Sequence, residues 1–441
     1  MHARLPAICL ALAFAGNLAL AQQEIWIDPV LGNNGNPGTY PLPMLTLAQA
    51  LAVAGPNAKI MLLPGLYGPS HNGEILPLSL GLVPQQNLVI RGIGAVVFDL
   101  NGATVPMFRL VAGASGCRIT NLTITNMDRT QWWTRVVNSG SGVNTMDAAQ
   151  NVEFDRCRID SVNRGFVLWT NDNVQGWRIH DNLFVNCTND AILEYSGNNE
   201  VYNNTFVNNP YKAYISDSAT SRCYNNLIVG HGIAFENNNA ANNTARYQNN
   251  WIWQTGIVTQ GQGFAGGLPP SNVAGQDPML VNPAGGDYHL QTGSPLIDRG
   301  NPAIFARADN DGVARIVDYH QNGSLLPDIG AYERSPLALT VTWDPTIRLL
   351  YVTPSGIPGA LAFVLFSFDD GLVQLPGQGP ILVDPNTYIP VTLNAPLPHS
   401  WTLNLNAVPP FAPGTRLVMQ ALAIVPGATS LIGSNQVWTQ I

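Results

Sequence analysis

The sequence predicts an all-β protein in which a parallel β-solenoid is followed by a second β domain. Two observations lead to this fold class. A six-residue pattern with no helical periodicity recurs between residues 119 and 252. The composition is also rich in turn formers, with 42 Gly and 33 Pro, while charged residues reach only 11%, against about 25% in an average soluble domain.

The length and the charge of the chain limit its possible domain number and partners. The 441 residues allow two or three domains. The net charge of −8 and the absence of any Lys/Arg run argue against nucleic acid and anionic membranes as partners. We expect a monomer.

The first 21 residues are typical of a secretion signal. Arg4 supplies the positive start, residues 5–18 form a short apolar stretch, and Ala19-Leu20-Ala21 is a small-x-small cleavage site. We therefore expect a protein that is secreted or held in the cell envelope. No later segment is long and apolar enough to predict a membrane span.

Four cysteines follow the signal: Cys117, Cys157, Cys187 and Cys223. Their spacing matches no zinc pattern. Two disulfides are one interpretation in a secreted chain, and four buried thiols in a large core are the other.

The repeat fixes the architecture. Successive offsets between its copies are 35, 25, 22, 22 and 24 residues, and each copy has an apolar first and sixth position. One copy cannot bury its apolar face alone, but stacked copies form a continuous core. The copies begin at Ile119, Phe154, Ile179, Val201, Cys223 and Tyr247.

The fourth position of the repeat is asparagine in the last four copies, at Asn182, Asn204, Asn226 and Asn250. Stacked copies would place these side chains about 4.8 Å apart, so that each amide bonds the next inside the solenoid. The alternative is that asparagine only tolerates a left-handed turn there. Both interpretations are structural.

The repeats resemble right-handed parallel β-helices of the pectate-lyase-like superfamily. The opening is similar too, with Ile25–Pro29, a helix near Thr46–Ala54 and Pro64-Gly65-Leu66-Tyr67. The resemblance implies that the helix plugs the open end of the solenoid. It implies no single activity, because such proteins include lyases, hydrolases and non-catalytic surface proteins.

Residues 277–334 resemble the "choice-of-anchor Q" ending of secreted β-helix proteins, through Ser294–Gly300 and Pro327–Glu333. We therefore assign residues 22–334 to the β-helix. Charges become sparse after Arg334, and short β-type runs alternate with Pro/Gly turns, which predicts a β-sandwich over residues 335–441.

Arg164, Asp190, Lys212 and His231 occupy equivalent places after successive repeat copies, about one rung apart. β-Elimination of a uronic acid needs a base and a cation that holds the carboxylate, and the resemblance implies basic residues on the outer face, often with Ca²⁺. Lys212, Arg164 and His231 are the candidate catalytic residues. The alternative is a solvated ladder of opposite charges.

Several neighbours could contact a sugar. Carboxylates and aromatic rings near the charged line include Asp190, Glu194 and Tyr195, and Trp132-Trp133 lies in a predicted loop. Aromatic planes stack on the apolar faces of sugar rings, whereas core packing is their ordinary role. These five residues are the candidate substrate-binding set.

Asp309-Asn310-Asp311-Gly312 resembles the start of an EF-hand loop but lacks the downstream glutamate, since position 320 is His. Asp309 and Asp311 are therefore weak Ca²⁺ candidates, with a plain turn as the alternative.

Two functions stay open at this stage. The first is a secreted carbohydrate-active enzyme, most similar to a polysaccharide lyase that acts on uronic-acid-containing glycans. The second is a non-catalytic envelope or adhesion protein that uses its β-helix as a spacer or as a glycan-binding surface.

Overall fold

The computed structural model describes most of the chain after the predicted signal, which itself lies outside the described residues. The described residues are 22–139, 149–169, 174–195, 197–239, 244–303, 307–315, 317, 319–320, 325–344, 349–358, 360–367, 370–373, 381–383, 388–397, 400–404, 416–424 and 431–440. They contain no helix long and apolar enough to cross a membrane.

A right-handed parallel β-helix forms the first body, which confirms the predicted fold class. Each rung contributes one strand to each of three sheets, and all neighbouring strands in these sheets are parallel. The first sheet contains Glu24–Ile27, Lys59–Leu62, Val89–Gly92, Arg118–Thr120, Glu153–Asp155, Arg178–His180, Glu200–Tyr202, Arg222–Tyr224 and Tyr247–Gln248. The second sheet contains Gly65–Tyr67, Val96–Asp99, Thr123–Thr125, Arg158–Asp160, Leu183–Val185, Thr205–Val207, Leu227–Val229, Trp251–Trp253 and Val273–Ala274. The third sheet contains Leu78–Leu80, Phe108–Leu110, Arg135–Ser139, Arg164–Leu168, Ile192–Glu194, Lys212–Ser216, Ile233–Glu236 and Ile257–Gln260.

The α-helix Leu47–Val53 covers the N-terminal end of the core. Thr46 caps it by accepting the Gln49 N–H, and the buried Glu74 carboxylate accepts the N–H groups of Leu47 and Ala48. Leu47 and Leu51 pack into the main hydrophobic cluster. The helix therefore closes the end of the solenoid that would otherwise expose apolar side chains to water.

A corner residue in the left-handed conformation follows the first strand of each repeat copy. It is the third position of the repeat, with φ between 51° and 59° across the copies. Asparagine and aspartate adopt this conformation more readily than other non-glycine residues. The corner residues are Asn121, Arg156, Asp181, Asn203, Asn225 and Asn249.

The fourth position points inward. Asn182, Asn204, Asn226 and Asn250 are fully buried, and the Nδ2 of each donates to the Oδ1 of the next asparagine at 2.9–3.1 Å, ending on Asn272. Each Oδ1 also accepts a backbone N–H from the preceding rung. The two adjacent asparagines of a copy thus have different tasks, the left-handed corner and the buried amide column.

Asn204→Leu should lower the free energy of unfolding by about 1–3 kcal/mol, because the buried Asn182 amide and the Ile179 carbonyl lose their partners. Denaturant midpoints of the variant and the parent protein measure this. Gln262→Leu, which changes an exposed amide, is the matched control and should leave the midpoint nearly unchanged. A midpoint for Asn204→Leu equal to that of the control would contradict the stabilising role.

The rungs end at Val273–Ala274, and the described residues between 277 and 333 fold back along the outside of the second sheet. We call these residues the docking segment. They include the antiparallel hairpin Leu280–Asn282 and Asp287–Leu290. The apolar contact joins Leu183, Val185, Val207, Leu227, Val229 and Trp251 of the β-helix to Leu280, Tyr288, Leu290, Leu296, Ile297, Ile329, Ala331 and Tyr332 of the segment.

Arg315 ties the docking segment to a corner of the β-helix. Its side chain is fully buried, and it donates to Asp181 Oδ1 at 2.8 Å and to Glu333 Oε2 at 3.0 Å. Breaking such a buried pair leaves an uncompensated charge and is strongly destabilising. Arg315 therefore fixes where the segment lies.

Antiparallel sheets form the C-terminal β-sandwich. One sheet contains Ala338–Asp344, Leu349–Ser355 and Trp401–Asn404, a second contains Leu361–Ser367, Tyr388–Pro396, Arg416–Ile424 and Leu431–Gln440, and a short pair joins Asp370–Val373 to Ile381–Val383. Leu350 and Val352 of the first sheet pack with Val364 and Met419 of the second in a separate core.

All four cysteines after residue 21 are free and buried. Of the two interpretations that the sequence left open, the structure contains the buried thiols. Burial raises the pKa of Cys117 and of Cys157 to about 12. Since the thiolate is the reactive form, these thiols are unreactive at neutral pH.

Candidate functional site

The outer face of the third sheet carries the predicted line of charges. In the middle rungs two consecutive inward residues lie near the start of each of its strands, such as Ala191-Ile192 and Ala213-Tyr214, which all pack in the main core. The residue before each inward pair therefore lies on the outside. Strand register places Arg164, Asp190 and Lys212 one rung apart, as the repeat predicts.

The two cations of this line are paired with carboxylates. Arg164 Nε lies 3.0 Å from Asp190 Oδ2, and Lys212 Nζ lies 2.8 Å from Glu236 Oε2. Lys212 also lies 4.5 Å from the centre of the Tyr211 ring. The result is a charge-balanced array rather than a positive stripe.

Burial lowers the pKa of Lys212, but the hydrogen bond and the charge of Glu236 outweigh it, and the net pKa is raised. A raised pKa keeps the amine protonated and opposes its use as a base. The pKa of Asp190 is raised by burial, although Arg164 and Lys212 lower it in part. Lys212 is thus better suited to hold a ligand than to accept a proton.

The prediction that His231 continues the line is wrong. Lys212 pairs in register with Ile233, two residues after His231. The corner between Val229 and this strand is one residue shorter than the same corner in the two preceding rungs. The His231 ring is buried, and its Nδ1 lies 2.9 Å from the Val229 carbonyl oxygen. Burial lowers the pKa of His231 to about 3, so the ring is neutral at neutral pH.

Glu194 also lies away from the surface, contrary to its predicted contact with substrate. Strand alternation turns its side chain inward, where it is fully buried. Its carboxylate accepts hydrogen bonds from Asn199, Tyr214 and Ser221. Burial raises the pKa of Glu194, while these donors lower it in part. Glu194 is a polar element of the core.

Aromatic rings border the charged line. Trp132 and Trp133 are 66% and 44% exposed, and their rings form an edge-to-face pair at 5.8 Å. Arg164 supports them, since its Nη1 donates to the Trp132 carbonyl at 2.8 Å. The predicted residue Tyr195 stacks on Trp169 at 5.6 Å.

A small apolar patch lies next to Trp169 and Tyr195. Val167, Leu193 and Ile215 form a cluster separate from the main core, with Trp169 and Tyr195 packed against it. We call the whole arrangement the outer-face cluster. Its residues are Trp132, Trp133, Arg164, Val167, Trp169, Asp190, Leu193, Tyr195, Lys212, Ile215 and Glu236.

Sequence reasoning missed Arg135 and Tyr211. Arg135 precedes Arg164 in register, and its guanidinium lies 5.8 Å from the centre of the Trp169 ring. Its burial and the neighbouring Arg164 lower its pKa. The longer segment between these two rungs hid the alignment, and an arginine before an apolar pair was the signal that could have revealed it.

The predicted Ca²⁺ residues are engaged within the protein. Asp309 Oδ1 accepts the N–H groups of Asp311 and Val313, and its Oδ2 accepts that of Glu333. Asp311 pairs with His289 at 2.5 Å. Among the described residues, no group of three or more His, Cys, Asp or Glu side chains is arranged to hold a metal ion, and the Ca²⁺ site stays a prediction.

Comparison with known proteins fits this fold. Residues 108–263 match the family described as "Periplasmic copper-binding protein (NosD)". The described histidines of that stretch, His180 and His231, are both buried inside the protein, and its described residues contain no group of three or more His, Cys, Asp or Glu side chains that could hold a metal ion. No curated protein sequence matches the chain.

Solved structures show distant similarity in fold only. A pectate lyase, Pel9A, is 13% identical with a TM-score of 0.40, and the match covers 71% of this chain and 96% of that one. A GH136 lacto-N-biosidase from Eubacterium ramulus is 10% identical with a TM-score of 0.36, over 54% of this chain and 57% of that one.

His231→Asn should reduce the loss of unfolding free energy that occurs as the pH falls into the acid range. The folded pKa of His231, about 3, lies below its ordinary value of 6.5, so the unfolded chain binds the extra proton. The neutral ring therefore contributes stability above pH 6.5 that is lost as the pH falls towards 3. Asparagine keeps a donor for the Val229 carbonyl without titrating. Denaturant unfolding across this range measures the slope, and an unchanged slope would contradict the burial of a neutral ring.

Proposed function

We propose that this protein works outside the cytoplasm as a carbohydrate-binding β-helix protein, with a glycan held along the outer-face cluster. The observation that carries the proposal is the exposed Trp132–Trp133 pair beside two mostly buried ion pairs, Arg164–Asp190 and Lys212–Glu236. Location outside the cytoplasm is supported by the secretion-type residues 1–21, the "choice-of-anchor Q"-like ending and the word "periplasmic" in the matching family's description.

The aromatic pair suits a sugar. Large exposed aromatic side chains next to one another mark binding surfaces more often than scattered single ones do. A sugar ring offers apolar C–H faces to an aromatic plane and hydroxyls to nearby charged groups. Arg164 holds the Trp132 backbone, so the rings are pre-positioned and their ordering costs little on binding.

The balanced charges of the outer-face cluster limit the class of glycan that it can bind. Arg164 and Lys212 each have a carboxylate within 3.0 Å, so an acidic polymer would have to compete with Asp190 and Glu236 for them. A neutral glycan gains hydrogen bonds at the accessible edges of Arg164, Lys212 and Glu236, whose side chains are 10–14% exposed, without breaking an ion pair. We therefore expect the outer-face cluster to prefer neutral glycans.

Trp132→Ala should weaken glycan binding about ten-fold or more, because the loss of one stacking platform costs about 1–3 kcal/mol in comparable ring contacts. Isothermal titration against a panel of neutral and uronic-acid oligosaccharides measures it. Tyr351→Ala, which removes a 38% exposed ring from the C-terminal sandwich, is the control and should bind normally. Equal affinities for both variants would contradict binding at this face.

A polysaccharide lyase is the second candidate, because Arg164, Arg135 and Lys212 do place cations on the outer face. In that case Lys212→Ala should abolish release of unsaturated uronate product while binding stays within a few-fold. Absorbance of the unsaturated product, followed with and without Ca²⁺, measures it, and Lys59→Ala is the matched lysine control. A parent protein that forms no product on any uronic-acid polymer would exclude the lyase and leave the binding protein.

A further inference from the structure

A second polar site lies on the docking segment, away from the outer-face cluster. A pocket of about 630 Å³ opens where this segment meets the last corner of the β-helix. That volume is within the range of roughly 300–1,000 Å³ for small-molecule sites. Its polar lining comes from Asn249, Asp298, Arg299, Asn301 and His320.

Asp298 is fixed in the wall of this pocket. It adopts a left-handed backbone conformation with φ 54°, and its N–H donates to Asp328 Oδ1 at 2.8 Å. Its side chain is only 5% exposed. The carboxylate is therefore held rigidly and shielded from water.

The ring of His320 contacts this carboxylate. Its Nδ1 lies 2.6 Å from Asp298 Oδ2, while the ring is 47% exposed at the pocket. A carboxylate that accepts Nδ1–H leaves Nε2 on the opposite side of the ring, directed away from it. The pair thus joins a buried orienting acid to an accessible imidazole nitrogen.

The other described histidine–carboxylate pairs differ from this one. Both ring nitrogens of His180 and of His289 lie beside carboxylates. His71 pairs with Asp99, whose side chain is 29% exposed. Among the described histidines, His320 alone joins a shielded carboxylate to an exposed ring at a pocket.

The remaining lining residues are held by the β-helix. Asn249 Nδ2 donates to the Arg299 carbonyl at 3.1 Å, and Asn301 exchanges two hydrogen bonds with the corner residue Asn225 at 3.0 and 2.6 Å. The pocket is consequently pre-formed, and a ligand pays little to order it.

We propose that this pocket is a binding site for one acidic sugar residue. The His320 Nε2 and the amide groups of the lining suit hydroxyls, which both donate and accept. Arg299 is exposed at the rim, and its charge is the partner for a carboxylate. The site is separate from the outer-face cluster and does not depend on its function.

Side-chain NMR of the histidines tests this with galacturonate and galactose as probes. Galacturonate should shift the His320 ring signals and leave those of His289, an exposed ring with both nitrogens engaged, unchanged. Galactose should bind about ten-fold more weakly, because it lacks the charge-assisted contact to Arg299. A trimer of galacturonate is the second arm: equal affinity identifies a free sugar as the ligand, and tighter binding identifies a chain end.

Arg299→Gln should remove the preference for galacturonate, and His320→Gln should remove binding of both sugars. Arg222→Gln, at a 44% exposed arginine of the first sheet, is the matched control and should keep the preference, as should Trp132→Ala at the outer-face cluster. Unfolding midpoints show whether each variant is folded. An unchanged His320 signal in saturating galacturonate would overturn the proposal, and so would an intact preference in a folded Arg299→Gln protein.

Discussion

The structure depends on the corner of each rung. The chain must leave the first sheet and enter the second within about two residues, and it must do so at the same height in every rung for the parallel backbone ladders to continue. A left-handed residue makes the turn, and the buried amide behind it continues the hydrogen bonding where the strands stop. This requirement explains why asparagine is so frequent in a chain with so little charge.

The start of each strand in the third sheet decides which side chains face outward. In the middle rungs two consecutive inward residues lie there, so the residue before them lies outside, which brings Arg164, Asp190 and Lys212 into one line. The second sheet has an apolar outer face formed by residues such as Leu183, Val207 and Leu227, and the docking segment covers it. The two faces have therefore diverged: one is covered by the chain itself, and the other presents rings and paired charges.

The fold could be predicted wherever the repeat has a constant length. The column at Asn182, Asn204 and Asn226 is visible because its copies lie 22 residues apart. The rungs that begin at Lys59–Leu62 and Val89–Gly92 lack that asparagine pair and differ in loop length, so the comparison of repeat copies missed them.

The candidate site could be predicted only in part. The line from Arg164 to Lys212 follows the repeat, but His231 lies two residues before the position in register with Lys212, because Ala234-Phe235 is the inward pair of that strand. Glu194 was misplaced because two consecutive inward residues break the alternation from which facing is read. The partners Glu236 and Arg135 are one rung away in space but 24 and 29 residues from Lys212 and Arg164 along the chain. The number of residues in a rung sets these sequence separations, and it varies from rung to rung in a way that the repeat pattern does not reveal.

The ion pair between Arg315 and Asp181 has a consequence for how the protein folds. The two residues are 134 positions apart in the sequence. Contacts between successive rungs join residues that are much closer in the sequence, such as Asn204 and Asn226, which are 22 positions apart. Rungs can form one after another from nearby contacts, but the docking segment can bind only once the surface beneath it exists. Until then Leu183, Val207 and Leu227 remain in water, where such surfaces associate with other chains. The segment directly follows the last rung in the chain, so during N-to-C-terminal emergence this exposed interval is short.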